Sequence, residues 1–190
     1  MPTMSSTLRT LSIAGLYQRV ARRMVTWVLP GDPVAGEMLE IGAGSGAMTA
    51  QLLASRPELR AVATDFDPRM VEVERRNLAP FGDRGTAQEA DATALPFEDQ
   101  SFDLVLSCGM LHHVGHWSTA VAEAVRVLRP GGRLAGYDLV APSWMRTYGS
   151  RMLRPGQLEA ELRRLPVTGV HASRTLGGLL VRFSAIKNAE

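Results

Sequence analysis

Residues 38–47 read Met-Leu-Glu-Ile-Gly-Ala-Gly-Ser-Gly-Ala, in which an apolar strand runs into a glycine-rich turn. The pattern from Ala47 onward predicts a helix directly after that turn. Glycine has no Cβ, so Gly42, Gly44 and Gly46 allow the backbone to turn sharply and to approach a ligand closely. The first N–H groups of the helix face the same turn. The stretch therefore predicts a ligand site between a buried strand and a helix.

An acidic residue stands at the end of the next apolar strand. That strand is predicted at Leu59–Asp65, and Asp65 lies 19 residues after Gly46. In βαβ nucleotide-binding folds, an acid about 20 residues beyond the glycines hydrogen-bonds a ribose hydroxyl. We therefore expect a cofactor that contains adenosine.

The glycine turn alone leaves two classes of cofactor open. Gly42-Ala-Gly-Ser-Gly-Ala47 also matches the G-x-G-x-x-A form of the dinucleotide fingerprint, which would make the chain an NAD(P)-dependent oxidoreductase. However, Glu40 stands two residues before the turn, where an anion suits an ammonium or sulfonium group better than a pyrophosphate. A further acid, Asp91, follows the third predicted strand and is expected beside the same crevice. These acids favour a sulfonium cofactor.

The rest of the pattern predicts a doubly wound α/β fold in which strands and helices alternate. Leu176-Gly-Gly178 separates the last two strands, because paired glycines supply the positive φ angles of a tight turn. A helix at Thr10–Leu29 precedes the sheet, so we divide the chain into an N-terminal helical cap, 1–35, and a second domain, 36–190. The predicted strands are Glu37–Ile41, Leu59–Asp65, Thr86–Ala90, Phe102–Ser107, Arg133–Val140, Val167–Ser173 and Leu179–Ile186, and the later helices begin at Ala47, Pro68, Trp117 and Gln157.

Several motifs occur in one order along the chain and carry a family resemblance. They are Glu40-x-Gly42-x-Gly44-x-Gly46, Asp65-Phe66, Asp91-Ala92, Leu95-Pro-Phe97, Ser101-Phe-Asp-Leu-Val105, Leu111-His-His-Val114 and Arg126-Val-Leu-Arg-Pro-Gly-Gly132. From about Gly36 to Lys187, the chain resembles class I S-adenosylmethionine-dependent methyltransferases of the small-molecule type 11 kind. The resemblance implies a Rossmann-like, mostly parallel seven-stranded sheet of order 3-2-1-4-5-7-6 with strand 7 antiparallel.

The resemblance also implies S-adenosylmethionine as the cofactor and assigns roles to single residues. Asp65 is expected at the ribose hydroxyls, Phe66 on the adenine, and Asp91 with Ala92 at the adenine amino group and ring nitrogen. Cys108 follows the fourth strand, and its backbone is expected to face the methionine end of the cofactor. The residues expected against the methionine part are Glu40, Gly42, Ala43, Gly44 and Gly46.

Methyl transfer from a sulfonium mainly requires that acceptor, methyl and sulfur be aligned and that water be excluded. A base is needed only where the acceptor is protonated at the working pH. His112 and His113 follow the fourth strand, and we select His113 as the candidate base. Trp144–Tyr148 with Met152-Leu153 either covers a small-molecule or lipid-like acceptor or packs as an ordinary connection. A noncatalytic, cofactor-binding partner protein remains an alternative to an enzyme.

Composition bears on partners and location. The net charge is +2 and the arginines are scattered, so no nucleic-acid partner is expected. Cys108 is the only cysteine in the sequence, which excludes an intramolecular disulfide and a cysteine zinc cluster, and we expect no metal site. No apolar run reaches the roughly 20 residues of a membrane span, and no signal peptide is recognised, so we expect a cytoplasmic enzyme. The oligomeric state is not indicated.

Overall fold

The structure is a computed structural model that describes residues 23–30, 35–141 and 152–189. The strands are β1 Gly36–Ile41, β2 Leu59–Asp65, β3 Gly85–Glu89, β4 Phe102–Cys108, β5 Leu128–Leu139, β6 Val167–Thr175 and β7 Leu180–Lys187. The helices are α1 at 23–28, α2 Ala47–Ser55, α3 Pro68–Leu78, α4 Trp117–Val127 and α5 Gln157–Leu162. Short 3-10 turns lie at Ala79–Arg84, Leu111–His113 and Leu176–Gly178.

The seven strands form one sheet with the order β3-β2-β1-β4-β5-β7-β6. β1 pairs in parallel with β2 and with β4, and β4 pairs in parallel with β5. β7 is antiparallel to both of its neighbours, β5 and β6. The predicted doubly wound fold, its strand order and its antiparallel strand 7 are therefore confirmed.

Helices cover both faces of the sheet. Successive residues of a strand point to opposite faces, and β1 illustrates the consequence. Met38 is buried in a cluster with Val28 of α1 and Leu52 of α2. Leu39 is buried in a different cluster, with Val121 of α4. Because β1, β4 and β5 run in parallel, their carboxyl ends meet at one edge of the sheet, between the two helical layers.

Helix α3 begins where its local sequence indicates. Asp67 precedes it, and its Oδ1 accepts a hydrogen bond from the Arg69 backbone N–H at 3.0 Å. Pro68 occupies the first turn, where the missing N–H costs nothing because it would have no partner within the helix. The helix therefore starts directly after the strand that carries Asp65, and this fixes the direction in which the chain leaves the sheet edge.

β5 begins earlier than the predicted Arg133–Val140. Pairing with β4 already starts at Leu128, and the register then shifts before Arg133. The segment 129–132 is thus a bulge within the strand. Gly132 is required there, because a Cβ would lie 2.8 Å from the carbonyl oxygen of Arg129.

The described part of α1 packs against strands β5 and β7. The ring centroids of Trp27 and Tyr137 lie 6.1 Å apart, and Arg182 Nη1 donates to the Trp27 carbonyl oxygen at 2.9 Å. The part of the predicted Thr10–Leu29 helix that precedes residue 23 lies outside the described residues. The division into a cap, 1–35, and a domain, 36–190, stays a prediction.

Candidate functional site

The glycine-rich turn forms an open cradle at the carboxyl end of β1. Gly42, Gly44 and Gly46 all have positive φ, between 60° and 67°, a conformation that L side chains rarely adopt. A Cβ on Gly42 would lie 2.6 Å from the Cβ of Met110, whereas a Cβ on Gly44 would meet no atom within 4 Å. The Ala43 N–H donates to the Thr64 carbonyl oxygen at 2.9 Å, which ties the turn to β2. The turn is therefore packed behind Gly42 and open in front of Gly44.

Asp65 lies against this turn. Its Oδ2 accepts from the Gly44 N–H at 3.1 Å, and its Oδ1 accepts from the Asp67 N–H at 2.9 Å. A carboxylate has about four lone-pair positions, so capacity remains for hydroxyl groups of a ligand. Burial raises the pKa of Asp65, and backbone N–H groups of Asp67, Gly44 and Phe66 oppose that change. The acid predicted from the 19-residue spacing thus stands beside the glycine turn.

Glu40 lies near the end of β1, directly before the turn. Its Oε2 accepts hydrogen bonds from the Thr49 N–H, at 3.0 Å, and from the Thr49 hydroxyl. The residue is fully buried, and burial raises its pKa to about 7. The described contacts of the Glu40 carboxyl therefore connect β1 to the first turn of α2.

Asp91 and Ala92 lie at the neighbouring edge. The Ala90 N–H donates to the Asp65 carbonyl oxygen at 3.0 Å, which draws the end of β3 towards the end of β2. Asp91 Oδ1 accepts from the backbone N–H and the hydroxyl of Thr93, at 2.8 and 2.7 Å. Ala92 is buried and Phe66, after Asp65, is half-buried. The structure thus brings Asp65-Phe66 and Asp91-Ala92 to one edge of the sheet. Their roles towards a ligand stay predictions.

Cys108 ends β4 and is buried. Burial, reinforced by the negative charges of Glu40 and Asp138, raises the pKa of its thiol well above the usual value. A neutral buried thiol is a weak nucleophile. The Gly109 N–H donates to the Tyr137 carbonyl oxygen at 2.8 Å, so the backbone here extends the pairing of β4 with β5.

A His–Asp pair, which the sequence prediction missed, lies at the same edge. His112 Nδ1 stands 2.7 Å from Asp138 Oδ1, and Asp138 is completely buried in β5. Asp138 Oδ2 accepts from the Leu111 N–H, and its Oδ1 accepts from the Leu139 N–H, both at 2.7 Å. A buried carboxylate so placed holds the imidazole proton on Nδ1, and Nε2 is left with a lone pair. A charged residue inside the apolar strand was the available signal, because Asp is almost never fully buried without a partner.

His113, the base selected from the sequence, is placed differently. Burial and the neighbouring His112 lower its pKa, and the two imidazole ring centroids lie 3.9 Å apart. No hydrogen bond to the His113 ring is present among the described residues. The geometry therefore favours His112 over His113 as the proton acceptor, because a carboxylate orients only the former within the described part of the chain.

The predicted flap is only partly described. Trp144–Tyr148 lies outside the described residues. Leu153 is buried, and its carbonyl oxygen accepts from the Ala141 N–H at 2.8 Å next to the end of β5. Leu153 therefore packs as part of the core, and Met152 is half-buried beside it.

The chemistry of this edge suits a nucleoside that carries a positive charge. The open face of Gly44, the remaining lone pairs of Asp65 and the carboxyl of Asp91 match a methionine chain, ribose hydroxyls and an adenine amino group in turn. In the described ranges, no group of three or more His, Cys, Asp or Glu side chains is arranged to hold a metal ion. None of the described helices is both long enough and apolar enough to span a membrane.

Comparison with known proteins places these features in context. A family model described as a methyltransferase domain matches residues 39–136. A demethylmenaquinone methyltransferase of Clavibacter sepedonicus is 42% identical over 137 residues, covering 62% of this chain and 55% of the relative. A phosphoethanolamine N-methyltransferase 2 of Haemonchus contortus, solved with phosphomonomethylethanolamine and S-adenosylhomocysteine, matches with a TM-score of 0.78 at 15% identity, over 90% of this chain and 53% of that one. The cyclase SpnF matches with a TM-score of 0.76 at 16% identity, over 91% and 81%.

The chain spans about half the length of the curated relatives it matches. At the identities of the solved structures, the likeness shows the fold alone. One of those structures is named a cyclase and not a methyltransferase, so the fold by itself does not identify the reaction. The reaction has to be argued from the residues at the sheet edge.

Proposed function

The chain belongs to the class I S-adenosylmethionine-dependent methyltransferase family, and from this premise we propose that it transfers a methyl group from S-adenosylmethionine to a small, lipid-like acceptor that carries an ionisable proton. One observation carries the proposal: the open turn at Gly44, the acids Asp65 and Asp91, and the His112–Asp138 pair converge on the same edge of the sheet. Cofactor and base are thus proposed to act side by side.

S-adenosylmethionine, when bound, supplies a methyl group on a positively charged sulfur that needs no further activation. The chain has to bind and orient it. Asp65 is proposed to accept from the ribose hydroxyls with the lone pairs that Gly44 and Asp67 do not use. Asp91 and the backbone at Ala92 are proposed to bind the adenine edge, and Phe66 its ring face. The open side of Gly44 leaves room for the methionine chain, where any side chain would obstruct it.

His112 is the proposed general base, in place of His113. Asp138 holds the His112 proton on Nδ1, so Nε2 is free to take a proton from the acceptor. The proton moves from the acceptor to Nε2 as the methyl group is transferred, and the Asp138 carboxylate stabilises the resulting imidazolium. Three donors already hold Asp138 in place, so the dyad is oriented before a substrate binds.

Exposed apolar side chains near the carboxyl end of β5 favour an apolar acceptor. Leu176 and Leu179 in the β6–β7 turn are 72% and 40% exposed. The Val140 N–H donates to the Leu179 carbonyl oxygen at 2.8 Å, so the turn lies beside the end of β5. The relative from Clavibacter sepedonicus is named for a demethylmenaquinone. A hydroquinone with a hydrocarbon chain combines a phenolic proton for His112 with an apolar body for these leucines, and we propose this class of acceptor.

Two measurements test the proposal in sequence. Calorimetry with S-adenosylmethionine, S-adenosylhomocysteine, NADH and NADPH decides the cofactor, and we expect binding of the two sulfur nucleosides only. A tritiated methyl donor with a reduced, short-prenyl naphthohydroquinone then tests transfer under anaerobic conditions. Binding of a dinucleotide alone would return the chain to the oxidoreductase alternative. Tight binding of S-adenosylmethionine without transfer to hydroquinones, phenols or thioesters would support a noncatalytic partner protein.

A further inference from the structure

Glu74 is a buried acid that the proposed reaction has not used. It lies on the inner face of α3 together with Met70, Val71 and Leu78, and none of its surface is exposed. Neither carboxyl oxygen has a hydrogen-bond partner among the described residues. Most buried polar groups in proteins are hydrogen-bonded, so an acid without a partner calls for a physical reason.

The position of Glu74 relates it to the cofactor site. Its Cγ would be 3.4 Å from a Cβ on Gly46, so the side chain lies directly behind the glycine-rich turn. The Ser45 hydroxyl, in the same turn, is also buried without a hydrogen-bond partner in the described residues. Asn77, one helical turn after Glu74, donates to the Ser45 carbonyl oxygen at 2.8 Å. Two buried polar groups without partners among the described residues thus lie at one turn.

The charges around Glu74 are mostly negative. Asp65 at the end of β2 and Glu40 in β1 both repel a negative charge on it, and Arg75, the next residue of its own helix, attracts one. Burial is the largest influence, and together with these acids it raises the pKa of Glu74 to about 9. The acid is therefore neutral at pH 7, and a positive charge brought to the glycine turn would favour its ionisation.

The two forms of the cofactor differ in this charge. S-adenosylmethionine has a sulfonium, whereas the product S-adenosylhomocysteine has a neutral thioether. We propose that Glu74 is a specificity-determining residue that favours the charged cofactor over its product: its carboxyl releases a proton to solvent when S-adenosylmethionine binds and keeps it when S-adenosylhomocysteine binds. The inference rests on the proposed function, since it needs the sulfonium to occupy the cradle at Gly44.

Reciprocal linkage makes the effect measurable. If the sulfonium lowers the pKa of Glu74, then raising the pH must strengthen binding of the sulfonium by the same factor. With a decrease of about one pKa unit, about half a proton leaves at pH 8.5, and affinity rises about fourfold between pH 8 and pH 9.5. Glu40, with a pKa of about 7, is already largely ionised in this range and contributes little.

The experiment is calorimetric titration of the full chain at pH 8.5 in two buffers of different ionisation enthalpy. We expect about half a proton more to be released with S-adenosylmethionine than with S-adenosylhomocysteine. The sulfonium also lowers the pKa of the α-amino group of its own ligand, so the difference is compared between protein variants titrated with the same two ligands. Glu74→Gln should reduce the difference by about half a proton, and Glu72→Gln, at an exposed position of the same helix, should preserve it.

The second measurement is the dissociation constant of S-adenosylhomocysteine divided by that of S-adenosylmethionine, at pH 8 and at pH 9.5. Over this range the ratio should rise about fourfold more for the wild type than for Glu74→Gln. An unchanged proton count in Glu74→Gln, or the same pH dependence of the ratio in both proteins, would overturn the inference. If Glu74→Gln fails to fold, Glu74→Met, which also cannot ionise, replaces it in the same comparison. Absence of binding by both nucleosides would instead refute the proposed function.

Discussion

Asp138→Asn tests the proposed base while preserving the shape of the buried side chain. Asp138 Oδ1 faces His112 Nδ1 and the Leu139 N–H, and Oδ2 faces the Leu111 N–H, each at 2.7 Å. Asparagine offers one oxygen and one NH₂ group to these three donors. Whichever way the amide is oriented, at least one donor therefore faces another donor.

The two orientations of the amide have different costs. With the NH₂ group towards His112, the imidazole must accept at Nδ1 and carry its proton on Nε2, where it cannot act as a base. With the oxygen towards His112, the NH₂ group meets the Leu111 N–H, and an unpaired buried donor costs about 1–3 kcal/mol of stability. In either orientation the neutral amide removes the negative charge that stabilises the imidazolium. Because a general base contributes about 10²–10⁴-fold, we expect kcat to fall at least about 100-fold.

The assay is steady-state methyl transfer to the naphthohydroquinone at several pH values, with calorimetric binding of the cofactor as a check. A purely structural defect would reduce the rate with every acceptor. Loss of a base should spare an acceptor that is already ionised at the assay pH, because no proton then has to be removed. His112→Gln should reproduce the defect. His116→Gln should have no effect, because His116 is exposed and its side chain makes no capping hydrogen bond to α4. Folded Asp138→Asn protein with kcat within about twofold of wild type would refute the role of the dyad.

Three further predictions concern the cofactor cradle and the buried acids. Asp65→Ala should weaken S-adenosylmethionine binding by about 1–3 kcal/mol in calorimetry, because the ribose hydroxyls and the Gly44 N–H lose their acceptor; unchanged affinity would contradict the placement of the ribose. Gly44→Ala and Gly42→Ala both strain a backbone with positive φ, but only the Gly42 Cβ also meets Met110, so Gly42→Ala should lower the melting temperature more and Gly44→Ala should reduce cofactor affinity more; equal effects of the two on binding would contradict this distinction. Burial raises the pKa of Glu74 to about 9 from 4.5, so the folded chain holds an extra proton and the free energy of unfolding should decrease from about pH 5 to pH 9. Urea unfolding should show that Glu74→Gln reduces this slope by up to about 1.4 kcal/mol per pH unit, and an unchanged slope would mean that Glu74 is ionised in the folded state.

Local patterns allowed much of the fold to be predicted. The strand, glycine turn and helix around Gly44 are determined by neighbouring residues, and the acid at Asp65 follows at a fixed distance from them. The sheet order came from the family resemblance, and the structure has the same order. The predicted start of β5 at Arg133 was wrong, because Pro130 and the following glycines are typical of a turn. Only the pairing with β4 shows that they form a bulge within a strand that begins at Leu128.

The components that the sequence prediction missed depend on tertiary contacts. Asp138 follows His112 by 26 residues, and the two meet only because β4 and β5 align at their carboxyl ends. No local pattern contains that pairing. Glu74 could have been noticed, because Met70, Glu74 and Leu78 recur every four residues on one face of a helix. An acid within an apolar stripe is a departure from the helical pattern, and such departures concentrate at functional sites.

Four of the buried or partly buried acids at this edge differ in how many hydrogen bonds compensate their charge. Asp138 faces three donors, Asp65 and Glu40 each accept from at least two, and Glu74 accepts from none among the described residues. The cost of a buried negative charge increases as these donors are lost. An acid that orients a base needs a charge that stays constant through the reaction, and full compensation provides it. An acid that distinguishes a cation from a neutral product needs a charge that depends on the ligand, and this requires that the protein itself leave the charge uncompensated.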